Sequence, residues 1–568
     1  MIIEISVLCL WIFNSEIVSG CSSDLDCSLN GLCVDPKSDR PIKDFDGKNG
    51  NVQSRYQSRE STVLPSSFSS SSLTTKQCRC DKPWSGENCE TLRFLPVEGS
   101  PSSKTNGAKD GHAEDASSAA AIIAAQGYGM VPNITTWGGG ILTETIERPT
   151  DSKIAGNSTS TSTLYHLYVS RMTNDCPLQF FKSNSRIDHA VSDSITGPYE
   201  FFDVAVPVFS HNPAPIELWS REEKTTSKTD DEVDSNDEPS WKYALFHIGN
   251  GIPPTDGEKD CRDGYGYGGS SSSSSGTFHD MTSSSSQRRK QRRHLLVQDD
   301  IGSNGEEGSD GAHVGGSTIH VSESLYGPWV PLLDHDLGHC NNPSPWVHPA
   351  NGTLFVVCSN GGHRVRLLKS EHGDVSGPYE LVTEFFTNTT AGRGVGPAPS
   401  ATAEATVVLP RGVAYEDPFL YTDSRGNFHC IFHAYQHTGS SRACEDTLVS
   451  AHAYSRDGYE WHTAPVSPYG SRIDVAVPVP GTGVTVAGVL DEGARAMSTG
   501  SKATAVEKIT LATRERPKLV FGEDGRMTHL VQGVCGSPAC EDTPYGPFCC
   551  ECKYRQWDFT LVSALDVS

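Results

Sequence analysis

Two carboxylates, Glu416 and Asp417, stand directly before Pro418 and an alternating apolar run in AYEDPFLYTDSRGNFHCIFHAYQH, residues 414–437. A carboxylate at the start of a buried strand costs free energy unless it is paired or binds a ligand. One interpretation is a pocket in which the two groups act as general acid, general base or acceptors for sugar hydroxyls. The alternative is a loop in which they accept backbone N–H groups. Repetition of the motif along the chain would favour the pocket.

The motif does recur. An x-Pro dipeptide also opens an apolar run in HNPAPI at His211, NNPSPW at Asn341 and ERPKLVF at Glu515, and TTWGGGIL around Trp137 supplies a related start upstream. Strand-like halves joined by a Gly turn accompany these starts in HAVSDSITGPYEF, IHVSESLYGPWVPL, LLKSEHGDVSGPYELV and AHAYSRDGYEWHTA. Five such units in an all-β chain predict a five-bladed β-propeller, in which each repeat is buried only between its neighbours.

The spacing of the units is uneven, because 130 residues separate Asn212 from Asn342 but only 75 separate Asn342 from Asp417. The composition of the longer interval accounts for the difference. Residues 221–239 are charged and polar, and residues 254–316 contain serine tracts, RRKQRR and an acidic Gly-rich run. Neither segment has the apolar content of a core, so both are predicted to be disordered surface insertions.

Six cysteines precede the propeller, and the last three lie in CRCDKPWSGENC. This spacing, with its aromatic residue and its glycine before the final cysteine, resembles the C-terminal half of an EGF-like domain. Sequence alone leaves fifteen pairings open. The resemblance implies the pairs Cys21 with Cys33, Cys27 with Cys78, and Cys80 with Cys89. The module departs from the family in a long low-complexity insert between Cys33 and Cys78, and it lacks the acidic run typical of calcium-binding EGF modules.

The chain has the features of an exported glycoprotein. Residues 2–18 are mostly apolar and end in small residues, which predicts a signal peptide over residues 1–20. Eighteen cysteines suit an oxidising compartment. The sequence contains four glycosylation sequons, at Asn133, Asn157, Asn351 and Asn388. A secreted, extracellular protein is therefore predicted.

Charge and hydropathy exclude two classes of partner. The formal charge of −24 argues against nucleic acid. No later stretch is apolar enough for a membrane span. The predicted organisation is a signal peptide (1–20), an EGF-like domain (21–90), a linker (91–128) and the propeller (129–568).

The set of blade starts WGG, HNP, NNP, EDP and ERP resembles the five-bladed propellers of glycoside hydrolase family 43, in particular uncharacterised secreted relatives. The resemblance implies that the leading residue of each first strand faces a common funnel. It implies Glu515 as the general acid and Asp417 as the base or as a group that tunes the pKa of Glu515, with Glu416 as a third acid. Inversion would require the acid and base to lie about 6.5–9.5 Å apart.

The sequence departs from the active family 43 pattern. Those enzymes carry an aspartate base in the first blade, where this chain has Trp137, Gly138 and Gly139. Asparagine in the next two blades binds a hydroxyl but accepts no proton, and Arg516 beside Glu515 offers it an ion pair. The residues expected to contact a sugar are Trp137, His211, Asn212, Asn342, Trp346 and Arg516, with a core position as the alternative for both tryptophans.

Two functions remain open from the sequence. The first is a glycosidase that acts on a poly- or oligosaccharide through an acid/base carboxylate pair. The second is a non-catalytic glycan-binding or adhesion protein of the matrix or cell surface, whose EGF-like module contacts an extracellular protein. No cofactor motif is present, and no metal site is expected, since His433, His437 and His529 are interpreted as core or funnel residues and the C-terminal cysteines as disulfides.

Overall fold

The computed structural model describes residues 21–34, 76–98, 126–128, 134–149, 159–218, 241–252, 257–261, 316–338, 340–359, 365–370, 373–385, 413–436, 449–478, 504–511, 513–535 and 558–568. Nearly all regular structure in them is β, which confirms the predicted all-β class. Helix is confined to the short segments Asp24–Cys27, Leu178–Phe180 and Phe181–Asn184. No helix among the described residues has the length and apolar character needed to cross a membrane.

Several sequence predictions fall outside the described residues. They are the signal peptide 1–20, the insert after Val34, the segment 221–239, and the segment 254–316 apart from 257–261 and 316. The sequons at Asn133, Asn157 and Asn388 also lie outside, whereas Asn351 is an exposed turn residue.

The N-terminal module contains two small antiparallel pairs. Strands β1 (Gly31–Val34) and β2 (Gln77–Cys80) form one, and β3 (Trp84–Ser85) and β4 (Thr91–Leu92) form the other. The disulfides are Cys21–Cys33, Cys27–Cys78 and Cys80–Cys89, which are the pairs that the EGF resemblance implies. Strand β5 (Val97–Glu98) follows.

In the described part of the large domain, five antiparallel sheets have their strands paired in chain order, and a further strand pair lies between the fourth and fifth of them in sequence. Sheet 1 comprises β6 (Thr136–Pro149), β7 (Thr159–Met172), β8 (Ser185–Ser192) and β9 (Glu200–Val206). Sheet 2 comprises β10 (His211–Glu217), β11 (Tyr243–Ile248), β12 (Ser317–Ser322) and β13 (Val330–Pro331). Sheet 3 comprises β14 (Asn341–Val347), β15 (Leu354–Ser359), β16 (Val365–Ser370) and β17 (Tyr379–Phe385).

Sheet 4 comprises β18 (Val413–Thr422), β19 (Phe428–Gln436), β20 (Ser450–Ser455) and β21 (His462–Thr463). An additional pair, β22 (Arg472–Pro478) and β23 (Thr504–Thr510), follows, and β5 adds to β22 in parallel. Sheet 5 comprises β24 (Thr513–Phe521), β25 (Met527–Cys535) and β26 (Asp558–Ala564).

The first strands of the five sheets contact one another in a closed cycle, from β6 through β10, β14 and β18 to β24 and back to β6. Apolar side chains fill the spaces between neighbouring sheets. One such cluster joins sheets 2 and 3, a second joins sheets 3 and 4, and a third joins sheets 5 and 1. Because apolar side chains from both faces are covered by a neighbouring sheet, a single sheet would not be stable alone.

Each first strand contains a β-bulge within the recurring motif. At the bulge the second motif residue is left-handed, with φ between 52° and 63°, and these residues are Gly138, Asn212, Asn342, Asp417 and Arg516. Glycine, asparagine and aspartate tolerate this conformation, which explains four of the five residue types. Arg516 is the exception. The shared bulge shows that the five motifs are structurally equivalent.

The N-terminal module packs against sheets 4 and 5. The Trp84 ring lies 4.9 Å from the His452 ring of β20, and Asp81 forms an ion pair of 2.6 Å with Arg425 in the β18–β19 turn. Residues 91–98, placed in the linker by the sequence, form β4 and β5 and a bridge from Phe94 to Leu565. Cys27, Trp84 and Leu92 share one apolar cluster with the strands of sheets 4 and 5.

Candidate functional site

Three carboxylates and one imidazole converge where β18 meets β24. Glu416, Asp417, His433 and Glu515 each offer a side-chain atom within 4.8 Å of the others. We call these four residues the acidic cluster. His433 Nδ1 lies 3.3 Å from Glu416 Oε1, and His433 Nε2 lies 3.8 Å from Glu515 Oε1. The imidazole therefore links glutamates from two different sheets.

The bulge explains why Glu416 and Asp417 reach the same cluster. Consecutive residues of a regular strand point to opposite faces, so an extended chain would separate them. The left-handed conformation of Asp417 breaks this alternation. Glu416 then faces His433 directly across the β18–β19 pair.

Asp417 is completely buried and is held by two neighbours. Arg516 Nη1 donates to Asp417 Oδ1 at 2.8 Å, and Asn342 Nδ2 donates to the same oxygen at 2.6 Å. Burial raises the pKa of Asp417 to about 6, and the charge of Arg516 opposes that rise. A carboxylate in this position does not meet bulk water directly, so Asp417 is poorly placed to activate a water molecule.

Glu416 and Glu515 are the accessible acids of the cluster, with side chains 32% and 17% exposed, respectively. His433 between them is buried. Burial on its own would lower the pKa of His433, but Glu515 and Glu416 raise it to about 9. At neutral pH the imidazole is therefore positively charged and stabilises negative charge on both glutamates.

Arg516 lies over Gly138, the left-handed residue of the sheet 1 motif. A Cβ atom on Gly138 would be 2.9 Å from Cδ of Arg516. The arginine side chain thus occupies space that an aspartate side chain would need, and its guanidinium pairs with Asp417 instead. Sheet 5 thus places a positive charge over the start of sheet 1.

The cluster contains the ligand types that bind divalent cations, namely carboxylate oxygens and an imidazole nitrogen. Two positive groups already balance its charge, since Arg516 pairs with Asp417 and protonated His433 contacts both glutamates. The donor set is only partly satisfied, since among the described residues the buried Asp417 Oδ2 meets no hydrogen-bond partner, and the expectation of no metal site stays a prediction.

The other predicted sugar contacts are largely buried. Trp137 is 1% exposed and packs against Gly533, so it occupies the core position that was its alternative. Trp346 packs against Phe521 and donates its indole N–H to Thr422 Oγ1 at 3.0 Å. The ring of Trp137 is covered by protein and offers no free face to a sugar, whereas Trp346 is half-buried and its sugar contact stays a prediction.

His211 and Asn212 are also buried. His211 Nδ1 lies 2.7 Å from Ser185 Oγ, and the backbone N–H of Asn212 donates to Ser170 Oγ at 2.7 Å. The side-chain amide N–H of Asn342 is already hydrogen-bonded to Asp417 Oδ1. Among the predicted contact residues, Arg516 keeps the exposure needed to meet a ligand, at 13% of its side chain.

Sequence reasoning missed three buried charged residues around the cluster. Arg514 precedes Glu515 and is 1% exposed, and Lys518 follows Pro517 and is 4% exposed. Asp558, at the start of β26, is fully buried, and burial together with the charge of Glu515 raises its pKa well above the usual range. The signal in the sequence is a charged residue inside a strand-like run, as in RERPKLV and QWDFTLV.

No protein-family model and no curated protein matches the sequence. Solved structures with a similar chain path include the endo-arabinase from Bacteroides thetaiotaomicron, with 11% identity, a TM-score of 0.32 and coverage of 78% of this chain and 98% of that one. A family 117 glycoside hydrolase from Zobellia galactanivorans has 10% identity, a TM-score of 0.32 and coverage of 84% and 90%. A protein of unknown function from Dyadobacter fermentans has 10% identity, a TM-score of 0.34 and coverage of 78% and 97%. All three scores are below 0.5, so these likenesses say nothing about what this chain does.

Proposed function

We propose that this chain is a carbohydrate-active protein of the glycoside hydrolase type, with the acidic cluster as its site and the five sheets as the blades of a propeller. The observation that carries the proposal is the placement of two partly exposed glutamates, Glu416 and Glu515, on either side of a charged histidine. Glycosidic bond cleavage requires paired carboxyl groups with different proton occupancy, and a sugar offers many hydroxyls to carboxylate acceptors.

The roles of the acids follow from their exposure. Glu515 gives a proton to the leaving glycosidic oxygen, and Glu416 takes a proton from the attacking water or stabilises the positive charge that develops on the sugar. Charged His433 supplies that proton to Glu515 from 3.8 Å, and Glu416, 3.3 Å from the other ring nitrogen, returns to His433 the proton that it takes from the water. Asp417 acts through the other groups as a tuner of their pKa, because it is buried and paired with Arg516.

The inverting geometry expected for Asp417 and Glu515 finds no support in the cluster. Their nearest ligand-type oxygens lie within 4.8 Å, less than the roughly 6.5–9.5 Å that leaves room for a sugar and a water molecule. The oxygens of Glu416 and Glu515 also lie within 4.8 Å of each other, so distance does not separate the two pairs; we assign the direct contacts to Glu416 and Glu515 because their side chains are partly exposed.

A non-catalytic glycan-binding protein is the second candidate. The observation that favours it is Arg516, which covers Gly138 and neutralises Asp417. A site built in this way retains hydrogen-bonding groups for a sugar while it lacks a carboxylate from sheet 1. In this case the exposed atoms of Glu416, Glu515 and Arg516 bind hydroxyls without proton transfer.

The proposals on secretion, glycosylation and the N-terminal module rest on the sequence features together with the disulfides. The chain is a secreted glycoprotein with a signal peptide over residues 1–20 and an EGF-like module over residues 21–90. The face of the module that contains Trp84 and Asp81 is used internally by sheet 4, so an extracellular partner would have to contact the opposite face.

Purified protein assayed on arabinan, xylan, galactan and fructan fragments tests the proposal through product release and through retardation in glycan gels. Hydrolysis should fall about 10²- to 10⁴-fold in Glu515→Gln and in Glu416→Gln, because each loses an acid–base group. Asp417→Asn should cost less. Glu217→Gln, which removes an exposed carboxylate of sheet 2, is the matched control.

Retardation without product release would select the glycan-binding candidate. Hydrolysis that persists undiminished in the Glu416→Gln, Glu515→Gln double variant would overturn the assignment of the site. The absence of both activities on every glycan tested would count against a carbohydrate-active protein.

A further inference from the structure

Arg514 is a buried arginine directly before Glu515, and its guanidinium lies between two aromatic rings. Its Cζ atom is 5.1 Å from the ring centre of Phe94 and 4.8 Å from that of Tyr469. Stacking of this kind strengthens when the cation is removed from water. Phe94 belongs to the N-terminal segment and Tyr469 follows sheet 4, so the arginine joins three separate parts of the chain.

The hydrogen bonds of Arg514 fix its planar group in one orientation. Nε and Nη2 donate to Gln532 Oε1 at 2.9 and 2.6 Å, and Nη1 donates to the backbone oxygen of Gly470 at 2.8 Å. Gln532 lies on β25, next to β24, and is completely buried. The guanidinium of Arg514 is thus hydrogen-bonded to β25 through Gln532 and to the loop that contains Gly470. These bonds restrain the start of β24, where Arg514 lies.

Phe94 is itself fixed by the C-terminal strand. It forms a β-bridge with Leu565, the next residue Leu95 donates its N–H to Ala564 at 3.0 Å, and Arg93 pairs with Asp566 at 2.6 Å. The Arg93 N–H donates to Pro83 of the disulfide module. The ring over Arg514 is therefore attached to the module through a chain of backbone contacts.

We propose that Phe94 and Arg514 are positioning residues for Glu515, so that the N-terminal module completes the acidic cluster from outside the propeller. This inference rests on the proposed function, because it takes the acidic cluster as the site. Glu515 is one peptide unit from Arg514, at the residue where the β24 bulge begins. We call the contact of the Arg514 guanidinium with the rings of Phe94 and Tyr469 the clamp. Loss of the clamp frees the backbone at the β24 bulge and moves Glu515 away from His433.

His433 provides a readout of that distance that needs no glycan. Glu515 helps to hold the pKa of His433 at about 9, and an opposite charge at this range shifts a pKa by roughly 1–3 units. The experiment is an NMR titration of the full chain labelled with ¹³C at histidine Cε1, with His433→Gln used to assign the signal. We expect Phe94→Ala and Arg514→Met to lower the His433 pKa by about 1 unit, and Phe94→Leu and Arg514→Lys to restore part of the shift.

Phe355→Ala is the matched control, because it truncates a half-buried ring of sheet 3 that does not contact the clamp. Its His433 pKa should equal that of the unmodified protein. An unchanged pKa in folded Phe94→Ala would overturn the proposal, and Phe94→Ala decides the matter even if Arg514→Met does not fold. Because the titration uses no sugar, it tests the positioning role of Phe94 and Arg514 independently of whether the protein binds or cleaves a glycan.

Discussion

The guanidinium of Arg516 lies 2.8 Å from the buried carboxylate of Asp417. Both residues occupy the left-handed position of their bulge, in sheets 5 and 4. The first strands of sheets 4 and 5 are thus joined at the acidic cluster by an ion pair between equivalent positions.

Removal of one partner from this ion pair should destabilise the protein strongly. Arg516→Met leaves a buried carboxylate without its cation and is expected to lower the free energy of unfolding by about 3–5 kcal/mol. Arg516→Met combined with Asp417→Asn should recover a large part of that loss. Urea unfolding of the two single variants and the double variant measures the coupling, with Arg526→Met, at an exposed ion pair, as the control. If the losses of unfolding free energy in the two single variants add up to the loss in the double variant, Arg516 and Asp417 do not stabilise each other.

Stability should depend on the charge of His433 between pH 6.5 and 9. The pKa of His433 in the folded protein is about 9, above its ordinary value of 6.5, because Glu515, Glu416 and Asp417 face it. Its stabilising contribution is complete below pH 6.5 and is lost as the pH rises through 9. The loss should amount to at most about 3 kcal/mol, at 1.36 kcal/mol per pKa unit.

Urea unfolding at several pH values measures this slope in the unmodified protein, in His433→Gln and in His462→Gln, whose histidine lies on β21 away from the cluster. The slope should disappear in His433→Gln alone. Retention of the full slope in that variant would show that another group titrates.

Replacement of Gly138 by alanine should lower the stability by more than the left-handed backbone conformation alone explains. Both Gly138 and Gly426 have positive φ, of 63° and 83°, but a Cβ on Gly426 meets nothing within 4 Å whereas one on Gly138 meets Arg516. Gly426→Ala therefore isolates the conformational cost, of about 1–2 kcal/mol. Gly138→Ala should cost at least about 1 kcal/mol more in thermal or urea unfolding, and equal losses would show that Arg516 moves aside freely.

The N-terminal module should unfold together with sheets 4 and 5. Trp84 is buried against His452, so Trp84→Ala is expected to cost about 3–5 kcal/mol and to lower the Tm of the whole chain. Far-UV and near-UV circular dichroism should then report one shared transition. Tyr459→Ala, at an exposed ring of sheet 4, is the control. Two separate transitions, only the first of them shifted by Trp84→Ala, would mean that the module is independent.

The sequence predicts the strands and the recurring unit because both depend on local patterns. Alternation of apolar residues identifies strands such as β19, and the Gly turns identify the hairpins. The motifs at His211, Asn341, Glu416 and Glu515 recur because each bulge needs a residue that tolerates a left-handed backbone. The three module disulfides follow from cysteine spacing within a known pattern.

The contacts of the site depend on which strands meet in space, and no local pattern contains that information. Glu416 and Asp417 are neighbours in sequence, yet the bulge makes one accessible and buries the other. Arg516 was expected to neutralise the adjacent Glu515, but it pairs with Asp417, 99 residues earlier. Trp137 has the residue type of a sugar platform, and only packing decides that its ring is covered.

What the sequence determined by itself is therefore the all-β class, the repeated unit and the set of acids near the strand starts, because residue type and spacing act over a few residues; the pairing of the module cysteines came from the EGF resemblance. Tertiary structure decided that Asp417 is paired and buried, that His433 stands between two glutamates, and that Phe94 from the N-terminal segment lies on Arg514. The physical reason is that burial and charge pairing are set by groups far apart in the chain, which close packing of the five sheets brings within a few ångströms of one another.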